Sequence, residues 1–333
     1  MTTYKEIFGK QIKNLSSDPP AAISEGQIWY NTSSNAFKST LSVAAWSAGG
    51  ALPQVVSYNS GAGTQTAALS IGGQDSTTNV VSNVYEYDGS SWTDSSAPVN
   101  AFFGGQPTPT SAYYMGATGT QTAAVIVGGA EVNNRTVEYN GSSWTQTGNY
   151  PSQITQSTMN GIQTAAINIS GENASGATPT VANYNGSSWT ASPVAFSPAG
   201  DSMSSAGTAT ATIVSGGRNT GTITIAQEWN GSSWTTVGAP STPKSFAKST
   251  GIQTLALKMF GTTGATEQYN GSSWTTAPNQ ANARDWCTGG GSNDSSGTTG
   301  VQFGGKIGGG GPTFTAATEE FTTANTARTL TSS

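Results

Sequence analysis

The side chains that most often do chemistry are thinly spread in this sequence. Its 333 residues contain no histidine, a single cysteine (Cys287), and 17 Asp and Glu against 12 Lys and Arg. Without imidazole, the usual general base, the usual zinc or copper ligand and a Ser-His-Asp arrangement are all excluded. Paired carboxylates can hydrolyse a glycan without histidine, and Asp75, Glu172, Asp201 and Asp285 are the candidates for such a pair. Nothing in their spacing pairs them, so no catalytic residue is assigned and no metal or cofactor is expected. Trp286, which follows Arg284-Asp285, either stacks on a sugar ring or opens an apolar strand, as Phe246 would at a similar offset. Cys287 beside it reads as a small buried hydrophobe, and one cysteine allows no intrachain disulfide.

The charge balance narrows the partners. A formal net charge of −5 gives no electrostatic grip on phosphates, so nucleic acid is not expected as a partner. Residues 1–13 lack the apolar core of a secretory signal. No run approaches the roughly 20 apolar residues that span a bilayer. The expectation is synthesis in a cytoplasm, without membrane insertion.

The elements that must position any site are announced by repetition. Tyr-Asn-Gly-Ser-Ser-Trp and close variants end at Trp92, Trp144, Trp189, Trp234 and Trp274. A second phrase precedes each, as in Thr120-Gln-Thr-Ala-Ala running to Gly129, and it occurs six times against five of the first. The missing copy is divided between the ends: Glu319-Glu320-Phe321 matches Val137-Glu138-Tyr139 but lacks a following Trp, and Trp46 lacks a preceding Tyr phrase. One strand from each end would complete a sixth unit and remove the open sheet edges.

Each phrase has a local reading. Thr122-Ala-Ala-Val-Ile-Val127 suits a strand covered on both faces. Gly128-Gly129 stops it where φ must be free or another backbone comes close. Thr136 to Tyr139 alternates as a half-buried strand does, and Asn140-Gly141 is a hairpin signal of the type I′ kind. The Trp spacings of 40 to 52 residues fit four-stranded units. A double glycine after an apolar strand, then Tyr, then Trp, resembles the kelch repeat of β-propellers over about residues 40–330. The resemblance implies an all-β fold, a six-bladed propeller closed by N- and C-terminal strands. Trp46, Trp92, Trp144, Trp189, Trp234 and Trp274 would be its blade-core repeat, and the domains would be residues 1–40 and 41–333.

Comparing the copies with one another separates two faces. In an up-and-down four-stranded blade, the 1–2 and 3–4 turns share one face, and here both are nearly uniform. The 2–3 and 4–1 connections share the other face and vary freely. Binding residues lie mostly on loops held by a rigid scaffold, so the variable face is expected to meet a partner through Asp75, Arg135, Glu172, Arg218, Arg284 and Trp286. The bland alternative is tolerated loop drift.

Three further signals have competing readings. Glu86, Glu138, Glu228 and Glu320 precede the aromatic residue and form either an acidic ring or the polar half of an alternating strand. The Asn-Gly-Ser sequons at Asn140, Asn185, Asn230 and Asn270 are already explained as turns. Asp88 to Trp92 is similar to the Asp-box of sialidases, but the spacing departs and the other copies carry Asn. A sialidase also needs three convergent arginines, and Arg135, Arg218, Arg284 and Arg328 share no motif. Galactose-oxidase-like copper chemistry fails for want of histidine.

Residues 1–45 lie outside the repeat. Ser16-Ser-Asp-Pro-Pro20 is a stiff linker, and Gly26 to Asn31 with Ala36 to Lys38 reads as a β-hairpin. An isolated hairpin is marginal in water, so Trp29, Tyr30 and Phe37 are expected to dock on a surface. Leu-Ser-Ser-Asp-Pro-Pro with Glu-Gly-Gln-Ile-Trp-Tyr-Asn-Thr resembles segments near the N-terminus of tailed-bacteriophage structural proteins, of the marine and cyanophage type. Such chains also carry Gly-Ser-Ser-Trp-Thr repeats. The resemblance implies a virion location, as a tail-fibre, tail-tip or capsid-decoration protein. Its partners would be other virion proteins through residues 1–45 and a host-surface glycan or neighbouring subunit on the disc, with trimerisation of the arm left open. A carbohydrate-binding lectin and a glycan-degrading enzyme are the alternatives.

Overall fold

A computed structural model of the chain describes residues 12–20, 27–99, 112–131, 133–242, 245–259, 263–290, 299–307 and 313–330. Expectations that rest on Gly26, on residues 1–11, or on the connections that include 100–111, 291–298 and 308–312 of the sequence lie outside those residues. Every helix-or-strand element named among the described residues is a β-strand. The chain divides into two compact units, residues 1–45 with 322–333, and residues 46–321. The division returns the last dozen residues to the N-terminal unit, where the repeat alone had grouped 41–333 together.

In the larger unit each copy of the repeat is one antiparallel sheet. The first sheet runs Ser60–Thr64, Ala67–Gln74, Val80–Tyr87 and Trp92–Asp94 in spatial order, and four more sheets follow the same up-and-down order through Trp274–Ala277. The second strands are buried along nearly their whole length, as in Ala123–Val127, because apolar side chains on both faces need cover. The aromatic pair that ends each repeat lies directly cross-strand, Tyr139 opposite Trp144, with ring centroids 4.8 Å apart. The hairpin between them differs from the expected type I′ turn. Gly141 alone has positive φ (+91°), and the hairpin closes through the Asn140 N–H, which donates to the Ser143 carbonyl. Asn140 stands outside the two central positions because its Oδ1 accepts from the Ser142 and Ser143 amides at 3.0 and 2.9 Å.

The last sheet is assembled from both ends of the unit. Thr288–Gly290 and Thr299–Phe303 pair in the usual way, then come residues 318–321, then residues 46–49. Phe321 and Trp46 reproduce the Tyr–Trp pair, with centroids 5.4 Å apart. The split copy inferred from sequence is therefore one sheet.

Among the hydrogen bonds that join neighbouring sheets, four recurring kinds point back to the preceding sheet. Gln163 in a 1–2 turn donates to the carbonyls of Ala124 and Tyr139 at 3.0 and 2.8 Å, and Gln121 and Gln253 do the same one sheet before themselves. The Tyr139 hydroxyl donates to Glu86 at 2.9 Å, Tyr184 to Glu138, and Tyr269 to Glu228. The Trp189 indole donates to Thr136 Oγ1 at 2.8 Å, and Trp46 to Thr266 Oγ1 at 3.1 Å. Backbone bonds join the residues that lead into each first strand (below). The first sheet takes part by bonding to the last: Gln65 to the Phe321 carbonyl, Tyr87 to Glu320, and Trp92 to Thr318. The first strands follow the same order, with Thr288–Gly290 adjoining both Lys248–Ile252 and Ser60–Thr64.

The glutamates are the half-buried polar positions of alternating strands, and each has a structural partner rather than a place in a cation-binding ring. They accept from the next sheet's tyrosine, and the exceptions obey the same rule. Where the next aromatic lacks a hydroxyl, as Trp229 and Phe321 do, the preceding sheet carries Asn183 or Gln268 in place of Glu. Hydrogen bonds to a charged acceptor contribute about 1.5–3 kcal/mol each, so an unmatched Glu would be a net cost.

The smaller unit is built on the parallel pair Lys13–Leu15 and Ile28–Asn31 and the antiparallel partner Ala36–Gly49. Asp18 organises one side of it. Its carboxylate accepts from Lys38 Nζ at 2.8 Å, Asn31 Nδ2 at 2.6 Å and Trp29 Nε1 at 3.1 Å, and these bonds, led by Lys38, hold its pKa below the usual value. Strand alternation sends Ile28, Tyr30, Phe37 and Leu41 to the other side.

The indole rule yields a paired prediction. Among the described residues Trp234 and Trp274 have no acceptor for Nε1, and the sheet before each carries Val181 or Ala226 where Thr136, Thr266 and Thr318 stand elsewhere. Val181→Thr supplies the missing hydroxyl, and stability in urea is expected to stay within about 0.5 kcal/mol of the parent or to rise. Val84→Thr makes the same change beside Trp144, whose indole already donates to the Ala97 carbonyl at 2.9 Å. It should cost about 1–2 kcal/mol as a surplus buried hydroxyl. Equal losses in the two variants would contradict the rule.

Candidate functional site

The site is set by the residue two positions ahead of each first strand: Tyr58, Tyr114, Gln156, Ser202, Phe246 and Trp286. All six have φ between +49° and +62°, namely +58, +61, +52, +53, +60 and +53°. A left-handed conformation costs an L-residue about 1–2 kcal/mol, and glycine would relieve it. In a chain with 43 glycines, none of these six positions is glycine. Their backbones are bonded in series: Tyr114 N–H to the Tyr58 carbonyl, Gln156 to Tyr114, Ser202 to Gln156 and Phe246 to Ser202, at 2.9–3.1 Å, with Tyr58 N–H to Trp286 at 2.8 Å. The double glycines make room for this arrangement. A Cβ on Gly217 would lie 2.8 Å from the Asp201 carbonyl and 2.5 Å from Met203 Cγ, and one on Gly305 would lie 2.8 Å from the Asp285 carbonyl.

Held in this way, the six side chains surround a cavity of about 50 Å³ that opens to solvent, and all six are half-buried. Its rim is aromatic on one side. Phe246 and Trp286 lie with centroids 3.5 Å apart; Tyr58 meets Trp286 edge-on at 4.8 Å, and Tyr114 lies tilted to it at 5.4 Å. Tyr113 adds a fifth ring against Tyr58 and Tyr114. Burial raises the Tyr114 phenol pKa further from neutrality, with Tyr58 adding to the effect, so it serves as a neutral hydrogen-bonding group.

The other side of the rim is polar. Gln156 donates to Glu172 at 2.6 Å and accepts from Ser202 at 2.9 Å, while Ser202 also donates to Asp201 at 2.6 Å. Arg218 pairs with Asp201 at 2.9 Å and lies over the Phe246 ring at 5.1 Å. Lys306 lies over Tyr58 and Phe314 and bonds to the Tyr58 hydroxyl.

Lys248 lines both this cavity and a narrower space further along the first strands, which Ser60, Thr158 and Ser204 also line. The corresponding positions in the other sheets are Ser60, Gly116, Thr158, Ser204 and Thr288. Among the described residues its ammonium has no hydrogen bond or ion pair. Burial lowers its pKa, and the group acting against that is Cys287. Burial also pushes the Cys287 thiol up to about 11, which leaves it neutral at ordinary pH and unfit as a counter-ion.

The residues expected on the variable face separate into groups. Trp286 lines the cavity, while Glu172 and Arg218 lie behind its lining, on Gln156 and Phe246 respectively. Asp75 folds back on its own loop, accepting from the Thr77 and Asn79 amides at 2.9 and 3.0 Å. Arg135 is exposed on its loop. Arg284 is a correction: it is fully buried and bonds to Glu319 and to the Ala317 and Gly304 carbonyls. Its guanidinium is enclosed by protein rather than facing solvent. Trp29 is a second correction, since it is 2 % exposed and donates to Asp18 within the smaller unit. Tyr30 and Phe37 pair at 5.1 Å, with Phe37 43 % exposed. Of the repeat tryptophans, Trp92 and Trp144 are buried and Trp46, Trp189, Trp234 and Trp274 are half-buried.

Sequence reasoning missed Tyr58, Tyr114, Gln156, Ser202 and Lys248 because they share no residue type. Only their common offset from the repeat could have found them. The candidate carboxylates do not become a catalytic pair: Asp201 is bound to Arg218, Glu172 to Gln156, and Asp285 is buried, which raises its pKa. Among the described residues no three Cys, Asp or Glu side chains gather as a metal site. No protein-family model matches the chain, and no curated protein is significantly similar to it.

The fit of glycine to its place is testable in one loop. Gly217→Ala is expected to cost more than about 3 kcal/mol, because its φ of +100° and the Asp201 carbonyl both oppose a Cβ. Gly221→Ala, which meets nothing within 4 Å, should stay within about 0.5 kcal/mol. Chemical denaturation of the two variants measures the contrast, and similar small effects would show that the loop is not held as described.

Proposed function

We propose that this chain is a non-catalytic structural protein of a tailed-phage virion, in which a closed six-bladed β-propeller presents its variable face to a partner. The observation that carries the reading is the division of polar groups between the two faces. On the uniform face, the turn asparagines and the 1–2 turn glutamines already bond to the chain itself, as Asn140 and Gln163 do. On the opposite face, half-buried aromatic and polar side chains gather around a cavity at positions held in left-handed backbone. Strained residues that keep their side chains are more readily explained by binding than by drift.

Closure and blade count are part of the proposal. They are supported by the bonds from the first sheet to the last, through Tyr58, Gln65, Tyr87 and Trp92. Attachment through the smaller unit rests on the resemblance of residues 15–38 to phage structural proteins. It is also supported by one apolar side of that unit, where Ile28, Phe37 and Leu41 are 51, 43 and 51 % exposed. The partner there would be another virion chain.

Purified particles carrying the chain, labelled with gold-conjugated antibody against residues 47–333, are expected to show label at one defined tail or capsid position. A chain carrying Phe37→Asp and Leu41→Asp should fold, remain in the soluble lysate, and leave the particles unlabelled. Unlabelled particles from the parent, with the chain found soluble, would overturn the virion assignment and favour a free lectin.

A further inference from the structure

The cavity has two chemically different halves and a cation at its floor, and together they specify a ligand. We propose that it binds a sugar residue bearing a carboxylate, of the uronic or nonulosonic acid class, with the ring against the aromatic rim and the carboxylate on Lys248. The inference rests on the propeller presenting this face and names what it recognises.

Three observations converge. First, the rim offers what a pyranose needs: aromatic carbon at Trp286, Tyr58 and Tyr114 for the apolar C–H face, and Gln156 and Ser202 for hydroxyls. Neutral amide and hydroxyl groups bond sugar hydroxyls in either donor or acceptor sense. Second, the cation is specific to the place. Five of the six corresponding positions carry Ser, Thr or Gly, and only the fifth sheet carries Lys248. A half-buried ammonium without a protein partner is costly unless a ligand supplies the counter-charge. Third, the neighbouring cations do not line the cavity: Arg218 is paired with Asp201, and Lys306 lies over Tyr58 and Phe314 within the field of Asp285. That leaves Lys248 as the charge that an incoming anion would meet. A bare inorganic anion would leave the aromatic half of the cavity unused, and a neutral sugar would leave Lys248 uncompensated.

The test is titration of the full chain with sodium glucuronate, sodium galacturonate and N-acetylneuraminate. Glucose, galactose, N-acetylglucosamine and sodium acetate are the comparators, read by quenching of tryptophan fluorescence and by saturation-transfer NMR. At least one acidic sugar is expected to bind about tenfold or more tightly than its neutral counterpart and than acetate. Lys248→Met removes a buried charge and should fold. It is expected to bind acidic and neutral sugars alike, while Trp286→Ala weakens both by about tenfold. The inference is overturned if acidic and neutral sugars bind parent protein equally, if acetate binds as well as the sugars do, or if Lys248→Met keeps the acidic preference.

Labelled full-length chain applied to host cells separates this from the broader reading. Cell binding lost in Trp286→Ala, with no acidic preference in the titrations, would retain the presented face and discard the acidic sugar. Absence of both would remove both.

Discussion

Everything in the larger unit depends on hydrogen bonds that reach from one sheet to the sheet before it. A four-stranded sheet of this kind has second strands that are apolar on both faces, so it cannot stand alone in water. Packing supplies the area, but packing is not directional. Register between sheets comes from Tyr to Glu, Trp to Thr, Gln to two carbonyls, and backbone to backbone, each an exchange of a donor and an acceptor over a fixed distance. The chain observes this pairing even where it departs from its own repeat, with Asn183 facing the sheet that carries Trp229 and Gln268 the sheet that carries Phe321. Bonds from the first sheet to the strands drawn from both chain ends extend the same logic to its last step.

That constraint explains the contrast between the faces. The recurring side chains that join sheets lie in the 1–2 turns and the last two strands, and each holds two sheets at once. The 2–3 and 4–1 connections carry less of that duty: beyond the double glycines and the backbone leading into the first strands, the Ala97 carbonyl accepts from Trp144, and Glu267 and Glu319 accept from the amides at 241–242 and 281–282. Side chains at those leading positions are therefore free to differ, and they do: Tyr, Tyr, Gln, Ser, Phe and Trp. A scaffold so organised keeps six backbone positions fixed around a cavity while leaving the chemistry of each open to change. The same separation holds at Lys248, a single cation among hydroxyls and a glycine on otherwise equivalent strands.

Much of this architecture was legible in the sequence, because strand phrases repeat locally and each carries its own physical signature. The divided sheet could be read from Phe321 and Trp46, since each lacked the partner that the phrase demands. Other features depended on distance in space. The role of Glu86 could not be read, because its partner Tyr139 lies 53 residues away. Arg284 looked like a binding residue because it follows a variable loop, but burial against Glu319 makes it a structural ion pair. Trp29 looked like a docking anchor because a hairpin alone cannot cover an indole; Asp18 and the parallel strand Lys13–Leu15 cover it instead. The cavity was visible only in part, through Trp286, since its other members are alike in backbone conformation rather than in residue type.

The measurement that bears most directly on this account is a double-mutant cycle at the closing contact, Tyr87→Phe with Glu320→Gln, set beside the internal contact Tyr139→Phe with Glu86→Gln. If the first sheet is locked to the last as each other sheet is locked to its predecessor, both cycles should give coupling energies of about 1–2 kcal/mol. Coupling at Tyr139–Glu86 with none at Tyr87–Glu320 would contradict closure, and with it the cavity that the closed arrangement is proposed to form.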